Sequence, residues 1–142
     1  MKDIREHFFS FRGRITRSRY FLLGLVVVGG ALAIIIPVHF LLGPIIGAAA
    51  KLLIVFVVLI GCYISSLSLA VRRGHDFGVS GKFIIATMTA LLILELVAEG
   101  VAAAEFSRFI SFINAVFMFV VWLKKGQEGD NQFGPDPLAK TT

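Results

Sequence analysis

The side chains able to do chemistry fall in few places. His75 and Asp76 adjoin in the mid-chain stretch Arg72-Arg73-Gly74-His75-Asp76-Phe77-Gly78-Val79-Ser80-Gly81-Lys82, and Asp130 and Asp136 follow near the C-terminus. An imidazole with several carboxylates is the material of general acid–base work or of a hard-cation site. Their spacing matches no metal motif, and no serine or cysteine stands as a nucleophile, so no catalytic residue, metal ligand or cofactor is assigned. Neighbours in sequence generally do not face each other, which makes a structural role the first reading of His75 and Asp76. Cys62 is the sole cysteine, so disulfide, zinc and C-x-x-C chemistry lack partners and it reads as a small buried hydrophobe. A second set comprises Glu95 and Glu99, four apart on one helix face, and Asn114. Acids within a membrane mark ion or proton paths. Counted along a helix from Phe83, however, Glu95 lies ~18 Å and Glu99 ~24 Å away, towards the distant headgroups. A lip of solvated acids there, with Arg108 as a partner, is the leading reading and an ion or proton site the alternative. Asn114, the central polar residue of its run, is expected to bond across to another helix for ~0.6–2 kcal/mol.

The elements that must position these groups follow from composition. Of 142 residues, 57% are hydrophobic and 16% charged, with a mean hydropathy of +0.87. A soluble domain carries roughly 45–50% apolar residues, so the chain is read as one all-α integral membrane domain. Stretches of about 20 apolar residues span a ~30 Å hydrocarbon layer, and four are placed at 20–42, 52–70, 83–101 and 106–123. Residues 1–19 form a basic amphipathic leader whose Phe8, Phe9 and Phe11 suit an interfacial segment, a solvated arm being the equal alternative. Residues 126–142 form a polar tail. The first apolar run is too long for the ~7–15-residue core of a signal peptide. Pro37 predicts a kink or early helix end near residues 33–37, His39 falls at the far interface, and Gly43-Pro44 breaks the run. In the second span Gly61, Ser65 and Ser68 form a small-residue stripe for close packing. Glycines 74, 78 and 81 permit tight turns, with Asp76 or Ser80 as the cap of the third span.

Charge sets the expected orientation. The leader holds six of the 14 Lys and Arg, the mid-chain stretch three and the tail three, against Lys51 and Arg108 alone in the opposite connections. Positive residues stay cytoplasmic, so the layout is N-in/C-in: a bundle of two hairpins, with leader, mid-chain stretch and tail meeting at one face. The net charge of +5 is accounted for by topology, and no nucleic acid partner is expected. At that face Asp76 and Asp136 are expected to pair with leader arginines, pinning leader and tail over the mid-chain stretch.

Three motifs converge there: Phe9-Ser10-Phe11-Arg12-Gly13-Arg14-Ile15-Thr16-Arg17, the pattern RRxHDxGxSG from Arg72 to Gly81, and GxNxFGPDP from Gly129 to Pro137. In these the chain resembles the DUF805 family of small bacterial inner-membrane proteins over nearly its whole length, departing at Lys82 and Gln132. The resemblance implies a multi-pass topology in that membrane and no particular activity. The expected interaction cluster is Arg12, Arg14, Arg17, Arg72, Arg73, His75, Asp76, Asn131 and Asp136. Three functions compete. A non-enzymatic component would contact anionic lipid headgroups, a protein partner or a homo-oligomer through its basic face. A small oligomeric transporter or channel subunit would use Glu95, Glu99 and Asn114. A membrane enzyme would use His75, Asp76, Asp130 and Asp136.

Overall fold

The computed structural model describes residues 4–100 and 104–139. Val101, the expected end of the third span, the leader's first three residues and the tail's last three lie outside the described residues. The order is α1 (Ile4–Phe8), α2 (Arg17–Pro37), a π-helical turn (Val38–Leu42), α3 (Gly43–Asp76), α4 (Gly81–Gly100) and α5 (Ala104–Leu123). Among the described residues there is no strand beyond one isolated bridge, Asn131 to Gly134.

Four segments, Arg17–Leu42, Ile45–Asp76, Gly81–Gly100 and Ala104–Leu123, are long and apolar enough to cross a membrane, so the chain is a multi-pass membrane protein. Their outward faces carry uninterrupted large apolar side chains, such as Leu53, Phe56, Leu96, Phe112 and Phe119, all more than half exposed. In water so extended an apolar surface would aggregate; in lipid it is the solvated state.

The second span departs most from expectation. Instead of ending at Ala70 and releasing a polar loop, α3 runs on through Arg72, Arg73, Gly74 and His75 to Asp76. At 1.5 Å per residue the 29 residues from 48 to 76, past the turn at Gly47, reach ~44 Å, well beyond a ~30 Å core, so the charged turns project past the apolar zone. Positive side chains in a last turn also face the negative end of the helix dipole. The true loop is only 77–80. There Gly78 sits at φ 83°, its N–H donates to His75 O (3.2 Å) and the Val79 N–H donates to Gly74 O (2.9 Å). That pair of bonds is the Schellman closure of a helix. Ser80, not Asp76, caps α4, its Oγ accepting from the Phe83 N–H at 3.4 Å.

At the opposite end the first two spans divide at Gly43-Pro44, though the backbone stays helical through both residues. Proline fits a first helical turn, where its missing N–H costs nothing, and both residues open α3. The chain turns instead at Gly47, with φ 76° and ψ 164°, a conformation that glycine reaches without a Cβ penalty. Pro37 closes α2 without ending the rod. The backbone widens into the π turn that follows it, which accommodates the lost donor.

Packing concentrates at the end where α2 and α4 begin and α3 and α5 finish. Leu67, Ala70, Val71, Ile84, Met88 and Val121 form the buried apolar cluster, with Tyr20, Tyr63, Phe77 and Val79 against it. Close approach of α3 and α4 needs two glycines: a Cβ on Gly74 would meet Ile84, and one on Gly81 would meet Val71, each at 2.8 Å. The expected small-residue stripe is buried at Ser65 and Ser68, but its polar groups are not spent between the spans. Nothing lies near Gly61, Ser65 bonds back to Gly61 O at 2.9 Å, and Ser68 reaches the leader.

Candidate functional site

At this end three separate stretches of chain are knotted around one carboxylate. Asp76 accepts from Arg14 Nε through Oδ1 (3.2 Å) and from Arg73 Nη1 through Oδ2. All three side chains are buried, Arg73 completely. Two cations against one anion leave a positive excess, and main-chain carbonyls absorb it. Arg73 donates from Nε to Val121 O at 3.1 Å and from Nη2 to Trp122 O and Lys124 O, filling the unsatisfied carbonyls at the end of α5. Arg14 donates from Nη1 to Gly129 O at 2.6 Å and from Nη2 to Gln127 O at 2.5 Å. Only the planar five-donor fork of arginine spans such a set. Gly126 is obligatory here because any Cβ would occupy the space of the Asp76 carboxylate.

His75 takes no part in that ion cluster. Its Nδ1 lies 3.1 Å from Gly13 O, and its ring stacks on Phe133 with centroids 4.1 Å apart and planes 3° apart. His75 thus clamps leader against tail while its sequence neighbour Asp76 faces the arginines. Asn131 adds a further link, its Nδ2 donating to His75 O at 2.9 Å, and the Gln127 N–H donates to Asp76 O at 2.7 Å. The leader is fastened along α3 as well: Ser68 Oγ donates to Ser10 O at 2.7 Å and the Ile15 N–H donates to Arg72 O at 3.3 Å.

Asp136 departs from the expected pairing with a leader arginine. Its Oδ2 accepts the Gly129 N–H and its Oδ1 the Leu138 N–H, both at 2.9 Å, because the two prolines flanking it fold the tail into turns that aim backbone donors at the carboxylate. Those N–H groups, Leu138 first and then Gly129, hold its carboxyl below the usual carboxylate range, with the Arg14 charge adding to the effect. A folded pKa below the unfolded one stabilises the tail above the ordinary carboxylate pKa, and that contribution is lost as pH falls through the folded value. Protection of the Gly129 and Leu138 amides, measured as exchange relative to the intrinsic rate at each pH, is therefore expected to hold at neutral pH and to be lost only as pH falls below the ordinary carboxylate range. Asp136→Ala should show fast exchange at both amides throughout; slow exchange in that variant would contradict the assignment.

The remaining expected residues are distributed as follows. Arg12 and Arg17 are exposed, and Arg17 Nη1 donates to Leu123 O at 3.4 Å. Arg72 donates from Nη1 to Glu6 O and His7 O, at 3.2 and 3.0 Å. Far from this end, Glu95 accepts from Ser111 Oγ at 2.5 Å across α4 and α5, while Glu99 is exposed. Arg108 pairs with Glu105 one turn away at 3.1 Å. Asn114 is half-buried, but its expected bond to another helix does not form among the described residues. Nor do His75, Asp76, Asp130 and Asp136 converge; no group of three His, Cys, Asp or Glu side chains suited to a metal occurs among the described residues. Sequence reading missed Gly126 and Gln127, which lie just before the third motif, Gln127 also accepting from Asn131 Nδ2 through its Oε1 at 3.0 Å, and the stack of Phe133 on His75, although both rings stand in the motifs.

Residues 8–135 match the family model DUF805, described as a protein of unknown function. The chain belongs to DUF805. Neither a curated protein nor a solved structure matches it. In this DUF805 chain the motif residues Arg14, Arg73, His75, Asp76 and Asn131 spend their polar groups on one another and on main-chain carbonyls, which makes the motifs a fastening.

Proposed function

We propose that this DUF805 protein is a non-enzymatic component of the bacterial inner membrane, oriented N-in/C-in, whose basic end contacts the anionic cytoplasmic leaflet. The observation that carries the reading is a division of labour among the cations. Arg14 and Arg73 are buried and neutralised, whereas Arg12, Arg17, Arg19, Lys82, Lys124 and Lys125 are exposed around the same end, where the four helices leave the apolar zone. Phe9 and Phe11 stand exposed beside them, a combination suited to the headgroup layer. Each such cation contributes about 1 kcal/mol towards an anionic surface.

Lys125 is compromised by its pair with Glu128 at 2.7 Å, so the informative variant replaces Arg17, Lys82 and Lys124 with glutamine and leaves the buried arginines intact. Purified from membranes, wild type should retain phosphatidylglycerol and cardiolipin in excess over zwitterionic lipid, and the triple variant should lose most of that excess. Equal lipid composition in the two would defeat the reading.

A further inference from the structure

Three arginines from three segments line one small polar cavity apart from the Asp76 knot: Arg12 of the leader, Arg19 in the first turn of α2 and Arg72 near the end of α3. Glu6, His7 and Ser10 complete its walls. Its volume is about 210 Å³, room for a phosphoryl group with a few waters at ≈ 30 Å³ each. Arg14 and Arg73 have Asp76, but among the described residues none of these three guanidiniums lies within ion-pair distance of a carboxylate. Both hydrogen bonds of Arg72 leave from Nη1 and hold the end of α1, and its Nε is buried without a hydrogen-bond partner. Like charges gathered in one cavity repel, and an unmet buried donor carries a desolvation cost. An oxyanion removes the repulsion, and planar guanidinium forks match phosphate oxygens bidentately.

We propose that this cavity binds a phosphate oxyanion, supplied by a phospholipid headgroup or by a soluble phosphate. Arg19 and Arg72 lie where α2 starts and α3 finishes, at the level at which both helices emerge from the apolar zone. The site deepens the leaflet reading above, on which it rests only for the lipid as a source of the phosphate. Its specific donors are Arg12, Arg19 and Arg72, whereas Arg17, Lys82 and Lys124 supply the diffuse attraction. The Glu6 carboxylate on the wall opposes binding, so Glu6→Gln should tighten it.

The test uses the full chain in two arms. In the first, native mass spectrometry of protein extracted from phosphatidylcholine nanodiscs, with and without phosphatidylglycerol, counts tightly held anionic lipid. In the second, inorganic phosphate is titrated into delipidated protein by calorimetry. Arg12→Gln and Arg19→Gln alter exposed side chains and leave the Arg72 bonds to the leader in place. Each is expected to weaken binding about fivefold per lost charge, while the Arg17/Lys82/Lys124 variant keeps the tightly held anion. Retained lipid without a phosphate response identifies a headgroup site, and saturable phosphate binding weakened in both single variants identifies a soluble ligand. Wild-type behaviour of both single variants in both arms, or no anion bound by wild type in either, would overturn the proposal. A lost leaflet preference in the triple variant alongside unchanged Arg12→Gln and Arg19→Gln would remove this site and leave the leaflet reading standing.

Discussion

Asp76→Asn is expected to lower the stability of the folded chain by about 3–5 kcal/mol, the cost of breaking a buried ion pair from one side. The carboxylate is sandwiched by two guanidiniums whose side chains are 1% and 0% exposed. An amide of the same shape removes the countercharge, and while its carbonyl oxygen still accepts from one guanidinium, its NH2 donor faces the other. Arg73 is fixed by the last carbonyls of α5 and Arg14 by the carbonyls of the tail, so neither can swing out to water without giving up those bonds. Asp76→Glu should not restore stability, since the backbone at Gly126 already abuts the carboxylate. Reversible unfolding by SDS titration, followed by the fluorescence of Trp122 on the neighbouring turn, measures the loss. A change below 1 kcal/mol would mean that the three groups do not share a buried site.

Arg14→Gln is expected to release the tail while the four helices stay assembled. Hydrogen bonds from a charged donor are worth about 1.5–3 kcal/mol, and this one side chain serves Asp76, Gln127 O and Gly129 O, with a longer contact to Gly134 O at 3.4 Å. A drop of about 2–3 kcal/mol in global stability should accompany at least tenfold faster protease cleavage within 127–139. Arg14→Lys should behave like Arg14→Gln for the tail, because an ammonium cannot present the fork. Tail cleavage at the wild-type rate in Arg14→Gln would show that Phe133 on His75 and Asn131 on His75 O suffice to hold it.

How much of this was legible in the sequence depends on the kind of signal. Long apolar runs announce four spans, because a hydrocarbon layer accepts little else. The meeting of three motifs at one end follows from the short connections between successive spans. The end of α3 was misread for a physical reason. Arg72, Arg73 and His75 look like loop residues when each is scored for its cost in lipid, yet a helix that outruns the bilayer can carry them, and its dipole favours them. Asp136 was misassigned because charge complementarity suggests an arginine, while its flanking prolines deliver backbone N–H groups at closer range. Gly126 acts through the absence of a side chain and Gln127 serves Arg14 and Asp76 through main-chain atoms, which side-chain patterns do not encode. The bond between Glu95 and Ser111 depends on the rotation of α4 against α5, which periodicity over uniformly apolar helices leaves undetermined.

The central claim is that leader, α3 and tail are held by one shared buried ion cluster. A double-mutant cycle on Arg14→Gln and Asp76→Asn, each measured by the same SDS unfolding, tests it most directly. Residues joined in one network show interaction energies of 0.5–3 kcal/mol. The double variant should therefore be more stable than the sum of the two single losses indicates by at least about 1 kcal/mol, because Asp76→Asn leaves two buried cations without a countercharge and Arg14→Gln removes one of them. Losses that add to within about 0.3–0.5 kcal/mol would contradict the account, since Arg14 and Asp76 would then act independently.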